Sequence, residues 1–114
     1  HVDQAWKNPD NGNSISYLSD CQSNYEPNLA TIQRNVLADV QNLEIKTEEK
    51  GEFNGRAALR THAAGDVDGV GNQLDLMIFK KNNCIYVLTY VGLDEPFEKD
   101  RDAFNKFLEG FEAP

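Results

Sequence analysis

The sequence predicts an α+β domain, an antiparallel β-sheet sandwiched between helices, and three observations carry that prediction. Two turn signals, Asn54-Gly55 and Asp66 to Gly71, separate apolar stretches in the C-terminal half, as hairpins require. Two segments recur instead at helical spacing: Leu29, Ile32, Val36, Leu37, Val40 and Leu43, then Phe97, Phe104, Phe107, Leu108 and Phe111. The third observation is the stretch Cys84 to Val91. Cys84, Tyr86, Leu88 and Tyr90 share one face of it, and Ile85, Val87, Thr89 and Val91 share the other. A sheet wetted on one side shows polar outward positions, so this strand needs cover front and back, and the two helices are the available covers.

Residues 1–14 read as a polar N-terminal arm punctuated by Asn8-Pro9 and Asp10 to Asn13, and 15–114 as a single domain. Trp6 is the arm's one large apolar residue, expected to pin it to the domain body. Ile15 to Cys21 alternates as a short strand. Asn28, after Pro27, is placed to cap the helix from Leu29, whose other face carries Gln33, Arg34, Asp39 and Gln41. Glu44 to Phe53 alternates but is polar on both faces. That suits an edge strand, where lysines and glutamates discourage pairing with other chains. Arg56 to Gly65 follows the Asn54-Gly55 turn, with Ala57, Leu59, Thr61 and Ala63 able to face inward. Leu74 to Lys80 and Cys84 to Val91 are joined across Lys81, Asn82 and Asn83. For the last helix, Asp94 is the expected N-cap, Pro96 lies in the first turn, and Gly110 permits an end near Phe111.

At 114 residues the chain fits one core. Nineteen acidic against eleven basic side chains give a net charge of -8, which repels phosphate backbones and anionic lipid surfaces, so nucleic acid and bare membrane are not the expected partners. No apolar run approaches the roughly 18 to 20 residues that span a bilayer. The chain opens on His1 rather than Met, as expected of one from which a targeting segment was removed, or of an expression remnant. Cys21 and Cys84 are the only cysteines, enough for one bridge and too few for a zinc finger. Both sit at strand ends, and a disulfide is the expectation; buried free thiols are the alternative. A bridge would close a loop of about 64 residues, worth on the order of 4 kcal/mol by chain entropy, and would persist only in an oxidising compartment.

Asp66-Val67-Asp68-Gly69-Val70-Gly71-Asn72 imitates an EF-hand loop, but the fifth ligand position is Val70 and the twelfth, which needs a bidentate glutamate, is Met77. A hairpin turn explains the same residues. No Gly-x-Ser-x-Gly elbow, zinc-spaced histidine pair or phosphate-cradling loop is present, and His1 and His62 are the only imidazoles. A His62 and Cys84 thiol dyad would be excluded by a disulfide. Tyr86 and Tyr90, with His62, are the candidates for a shallow groove. Lys80, Lys81, Asn82 and Asn83 form a compact basic turn. No catalytic residue, metal or cofactor is assigned.

The run Phe79 to Tyr90, FKKNNCIYVLTY, followed by a polar loop and then Phe97, Phe104, Phe107-Leu108 and Phe111, resembles the end of PsbP-like and DcrB-like domains. The likeness extends over roughly Ile15 to Phe111. It implies a three-layer αβα arrangement, found in small secreted or lipid-anchored bacterial proteins, in lumenal photosystem subunits and in a nuclear-import factor that binds a GTPase. Members of that fold mainly bind proteins or assist assembly, and no shared catalytic set transfers to this chain. The cysteine pair is a departure, since the family does not require it.

The expected function is thus a non-enzymatic, extracytoplasmic protein-binding or assembly domain, in the periplasm or at the cell surface. It would be the soluble part of a bacterial lipoprotein, with room for a lipid anchor upstream. Two alternatives belong to other classes. A cystatin-like protease inhibitor shares the helix followed by a meander, yet Asp68-Gly69-Val70-Gly71 matches its Gln-Val-x-Gly loop poorly. A small-ligand-binding or hydrolase domain, with its pocket between sheet and helix, would show a cavity with converging polar groups near Tyr86 or His62.

Overall fold

The computed structural model describes residues 3–21 and 28–113; His1 and Pro27, which entered the sequence reading, lie outside the described residues. In chain order the elements are β1 (Gln4–Lys7), β2 (Ser14–Asp20), α1 (Leu29–Val36), β3 (Gln41–Phe53), β4 (Arg56–Val67), β5 (Val70–Lys81), β6 (Cys84–Leu93), a 3-10 turn (Pro96–Asp100) and α2 (Arg101–Gly110). The strands form one six-stranded sheet in the order β1-β2-β6-β5-β4-β3, and every neighbouring pair is antiparallel. β3 to β6 is a continuous meander. β2 lies on the far side of β6, so the chain must cross the whole sheet to begin β3, and α1 makes that crossing.

Local chemistry sets the three hairpins of the meander. Asn54 and Gly55, Asp68 and Gly69, and Asn82 and Asn83 all have positive φ, between 52° and 79°. That is the twist of a two-residue type I′ turn, which Asn, Asp and Gly adopt at low cost. The segment imitating a calcium loop is the middle one of these turns.

The sheet is covered on both sides. On one face Leu74, Leu76, Ile78, Val87 and Ala63 bury against Ile32 and Leu37 of the α1 segment. On the other, Met77, Phe79, Tyr86, Leu88 and Tyr90 bury against Phe97, Phe104 and Leu108. Each aromatic ring withdrawn from water there contributes roughly 1.5 to 3 kcal/mol. β6 feeds both layers, as its two apolar faces predict. β3 is an edge, exposed along Gln41 to Glu52.

Three local expectations are corrected. The helical spacing runs on to Leu43, but α1 ends at Val36, because the chain must turn to pair Gln41 with Asp66. Gly65 makes that turn fit: a Cβ there would overlap Val40 and lie 2.9 Å from the Gln41 carbonyl oxygen. The final helix is likewise split. Asp94 caps nothing, and Pro96–Asp100 winds as a 3-10 turn whose cap position is Glu95, without a side-chain cap bond. The carbonyls of Pro96 and Phe97 are engaged by the Asn13 amide and the Tyr90 hydroxyl instead. Finally, the segment read as an arm, 1–14, supplies β1, which pairs Trp6 with Ile15. Trp6 does pack, its ring 5.4 Å from Phe107 edge-on and 6.4 Å from Tyr17.

The loop between β1 and β2 is held by one carboxylate. The side-chain amides of Asn8, Asn11 and Asn13 all donate to Asp100 Oδ2, at 3.0, 2.9 and 2.9 Å. Those three bonds favour the charged form and hold the Asp100 carboxyl below the usual aspartate range. A depressed folded value means its stabilisation is complete above the unfolded value and lost as the pH falls through the folded one, so the window lies below about pH 4. Trp6 fluorescence should report detachment of β1 in that range, and Asp100→Ala should show the detached signal already at pH 7.

Gly92 underlies the same loop. A Cβ at this position would overlap Asn13 Oδ1 and meet the Phe97 Cα at 3.3 Å. Gly92→Ala should therefore expel Asn13, which is buried, and destabilise the protein by about 1 to 3 kcal/mol, measurable as a lowered urea midpoint with an unchanged slope. An unchanged midpoint would refute the close packing.

Candidate functional site

Register alone assembles the polar part of the α2 face. Thr47, His62, Asp75, Tyr90, Ile15 and Trp6 are successive cross-strand partners on β3, β4, β5, β6, β2 and β1, so they lie in one row across the sheet. The 3-10 turn lays Phe97 over this row. Its ring stacks on His62 at 5.4 Å, with planes 2° apart, and on Tyr90 at 4.5 Å.

On the β4 side a cavity of about 180 Å³ is lined by Thr47, Glu49, Arg60, His62, Asp75 and Arg101. Asp75 is buried, and Arg60 grips both its oxygens, with Nε to Oδ1 at 3.1 Å and Nη2 to Oδ2 at 3.0 Å. The same Nη2 donates to Asn105 Oδ1 at 2.9 Å, tying the sheet to α2. The His62 tautomer follows from its neighbours. Gln73 Nε2 donates to the Asp94 carbonyl at 2.9 Å, which leaves Gln73 Oε1 to accept from His62 Nε2 at 2.8 Å. His62 Nδ1 is then the lone pair that faces Arg101 Nη2 at 3.4 Å. Both imidazole nitrogens are engaged, and the guanidinium of Arg101 lies 5.5 Å over the Phe97 ring.

The proposed groove residues are not brought together in one opening. His62 lines this cavity; Tyr90 is buried and touches a different one, of about 210 Å³, shared with Trp6, Asn13, Ile15 and Asp100. Burial, with the Asp100 charge adding to it, pushes the Tyr90 hydroxyl up to about 12, and its proton is donated to the Phe97 carbonyl. Tyr86 is sealed beneath Phe79 and Phe111, with ring centroids 5.0 and 6.2 Å away. Tyr86 therefore lines no groove, because the aromatic layer under α2 closes over it.

Cys21 and Cys84 are joined, with an S–S distance of 2.04 Å. They are the next pair after Asp20 and Ile85 in the β2–β6 register, so the bridge spans neighbouring strands. No thiolate remains for a dyad with His62. Beside the bridge the basic turn lines a cavity of about 130 Å³ with Arg56, and Lys81 Nζ donates to the Ala113 carbonyl at 3.1 Å. Among the described residues, no three His, Cys, Asp or Glu side chains are grouped to hold a metal ion, and no helix is long and apolar enough to cross a membrane.

Sequence reasoning missed Arg60, Asp75 and Arg101. Arg60 and Asp75 are fifteen positions apart and meet only through the β4–β5 register. A signal was present: Arg60 follows the apolar run Ala57-Ala58-Leu59, Asp75 lies between Leu74 and Leu76, and the two are opposite in sign.

No family model and no curated protein matches the chain. Solved structures do. PA94 from Pseudomonas aeruginosa, a protein of unknown function, superposes with a TM-score of 0.81 at 12% identity, over 97% of this chain and 82% of that one. LpqN from Mycobacterium tuberculosis, involved in cell envelope biogenesis, gives 0.63 at 13% identity, over 90% of this chain and 63% of that one. A cyanobacterial PsbP from Synechocystis gives 0.56 at 6% identity, over 97% of this chain and 92% of that one. The fold is PsbP-like. At these identities the agreement is one of architecture, and no residue role is carried by it. In this PsbP-like domain a polar cavity at His62 and a mainly apolar one at Trp6 and Ile15 flank the 3-10 turn, while the layer between them is packed with aromatic rings.

Proposed function

We propose that this chain is a non-enzymatic protein-binding domain that works outside the cytoplasm, as the soluble part of a bacterial lipoprotein. The observation that carries the reading is a set of three exposed apolar side chains at the β4–β5 turn end of the sheet. Val70 is 50% exposed and Leu93 44%, and Leu93 pairs with Asn72, two positions from Val70 on the same face. Leu43, also exposed, adjoins Gly65 at that end. Single exposed hydrophobics are ordinary, but three at one end of a strongly acidic domain mark a surface suited to contact. The cross-strand disulfide supports an oxidising compartment. The envelope role of LpqN points the same way.

The test is capture from a native envelope fraction with the wild-type domain and with Val70→Asp/Leu93→Asp. The double variant is expected to keep its melting temperature and lose the captured protein. The ligand-binding alternative has its own observation, the converging Arg60, His62 and Arg101 around the 180 Å³ cavity. That volume is below the roughly 300 Å³ at which ordinary ligand sites begin, whereas a second cavity of about 430 Å³, between Leu29 and Ala30 of α1 and Lys50 and Leu59 of the sheet, is above it. Capture that survives the Val70 and Leu93 changes but is lost with His62→Ala would replace the surface reading with the cavity one.

A further inference from the structure

We infer that the mainly apolar cavity between β1 and α2 is a binding site for a trimethylammonium group, the head of choline and its derivatives. At about 210 Å³ the cavity is too small for an ordinary ligand and leaves room for little beyond one such head. Register builds its floor, since Trp6, Ile15 and Tyr90 are consecutive partners across β1, β2 and β6. The facing wall is Asp100, the last residue of the 3-10 turn, with Ala103 of α2.

Three features select this cation. The first is an aromatic surface: Trp6 meets Phe107 edge-on and stays 47% exposed, which leaves indole uncovered beside the cavity, and indole is the ring that attracts cations most strongly. The second is a fixed negative charge. Asn8, Asn11 and Asn13 all donate to Asp100 Oδ2, which keeps this carboxyl ionised, and among the described residues no hydrogen bond is made to its Oδ1. The third is the apolar character of the other walls. Stripping a metal ion or a primary ammonium of its water against Ile15 and Ala103 would cost more than one carboxylate offsets, whereas trimethylammonium carries its charge behind methyl groups and has no N–H to satisfy. Lys7 also lines the cavity, but it follows Trp6 along β1, so alternation sends its side chain toward the opposite face of the sheet from Asp100.

Chemical-shift titration of the wild-type chain, followed at the Trp6 indole N–H and the Ala103 amide, tests the site with four probes. Choline is expected to saturate it at about millimolar concentration. Neohexyl alcohol, the uncharged carbon isostere of choline, and ethanolamine, which has the charge without the methyl groups, should each bind about tenfold more weakly. Phosphocholine separates the sources: binding as tight as that of choline fits a phosphorylated headgroup, and binding of choline alone fits the free solute. Among variants, Trp6→Phe should keep choline affinity within about threefold, while Trp6→Leu should lose about fivefold, read at Ala103. Asp100 is left in place because its loss releases β1. The absence of a saturable shift by roughly 100 mM choline would overturn the inference. So would neohexyl alcohol or ethanolamine binding as tightly as choline, or Trp6→Leu matching the wild type. The probe series needs no variant, so it decides the matter even if Trp6→Leu frees β1 from the sheet.

Discussion

Arg60→Ala is expected to lower the stability of the domain by about 3 kcal/mol, a large share of the 5 to 15 kcal/mol typical of a folded domain. The Asp75 side chain is 2% exposed, and both of its oxygens are held by the Arg60 guanidinium. Removing the cation leaves an uncompensated carboxylate in a layer of aromatic rings. Breaking a fully buried pair costs about 3 to 5 kcal/mol, and the lower end applies because the Arg60 side chain is 35% exposed at the cavity mouth, where water can reach the vacated site. Loss of the Asn105 bond and of the guanidinium's position over Phe104 adds to the effect. Urea denaturation gives the number. The double variant Arg60→Met/Asp75→Leu should recover to within about 1 kcal/mol of wild type, since it removes the charge that is left unpaired. A cost below about 1 kcal/mol for Arg60→Ala would mean that the pair does not hold β4, β5 and α2 together.

Cys21→Ser/Cys84→Ser is the second large effect, at about 3 to 4 kcal/mol. The bridge ties residues 63 positions apart, and closing so long a loop in the unfolded chain is where most of the chain-entropy stabilisation arises. β2 should be affected most, because β1 and the Asn8 to Asn13 loop hang on it. Intact-mass measurement with an alkylating agent provides the check: two groups should add only after reduction. Uptake of both without reductant would show the thiols to be free.

The pattern of hydrophobicity made the layers legible. Cys84 to Val91, apolar on both faces, required two covers, and α1 and α2 supply them. The turn pairs at Asn54, Asp68 and Asn82 were legible because positive φ selects a short list of residues. What stayed hidden depends on distant partners. Leu37, Val40 and Leu43 continue a helical spacing, but the chain leaves the helix to satisfy the edge of β4, and local spacing does not contain that competition. β1 is too short and polar to announce itself, and its anchor, Asp100, lies 87 to 92 positions from the three asparagines it binds. The candidate site had the same difficulty. His62 could be named as one of two histidines, whereas its company of Gln73, Phe97 and Arg101 is a product of register and of the bend before α2.

The bridge between β2 and β6 also changes how the domain would bear a load. A pull applied at its two ends runs along β1 and β2, across the sulfurs, and out through β6 and α2. Residues 22–83, with α1 and the whole β3–β5 meander, form a closed covalent ring beside that line and carry no tension while the sulfur bond lasts. Under reducing conditions the same pull would have to be resisted by non-covalent contacts, the β2–β6 hydrogen bonds and the Asp100 cluster among them, and the ring would open into slack.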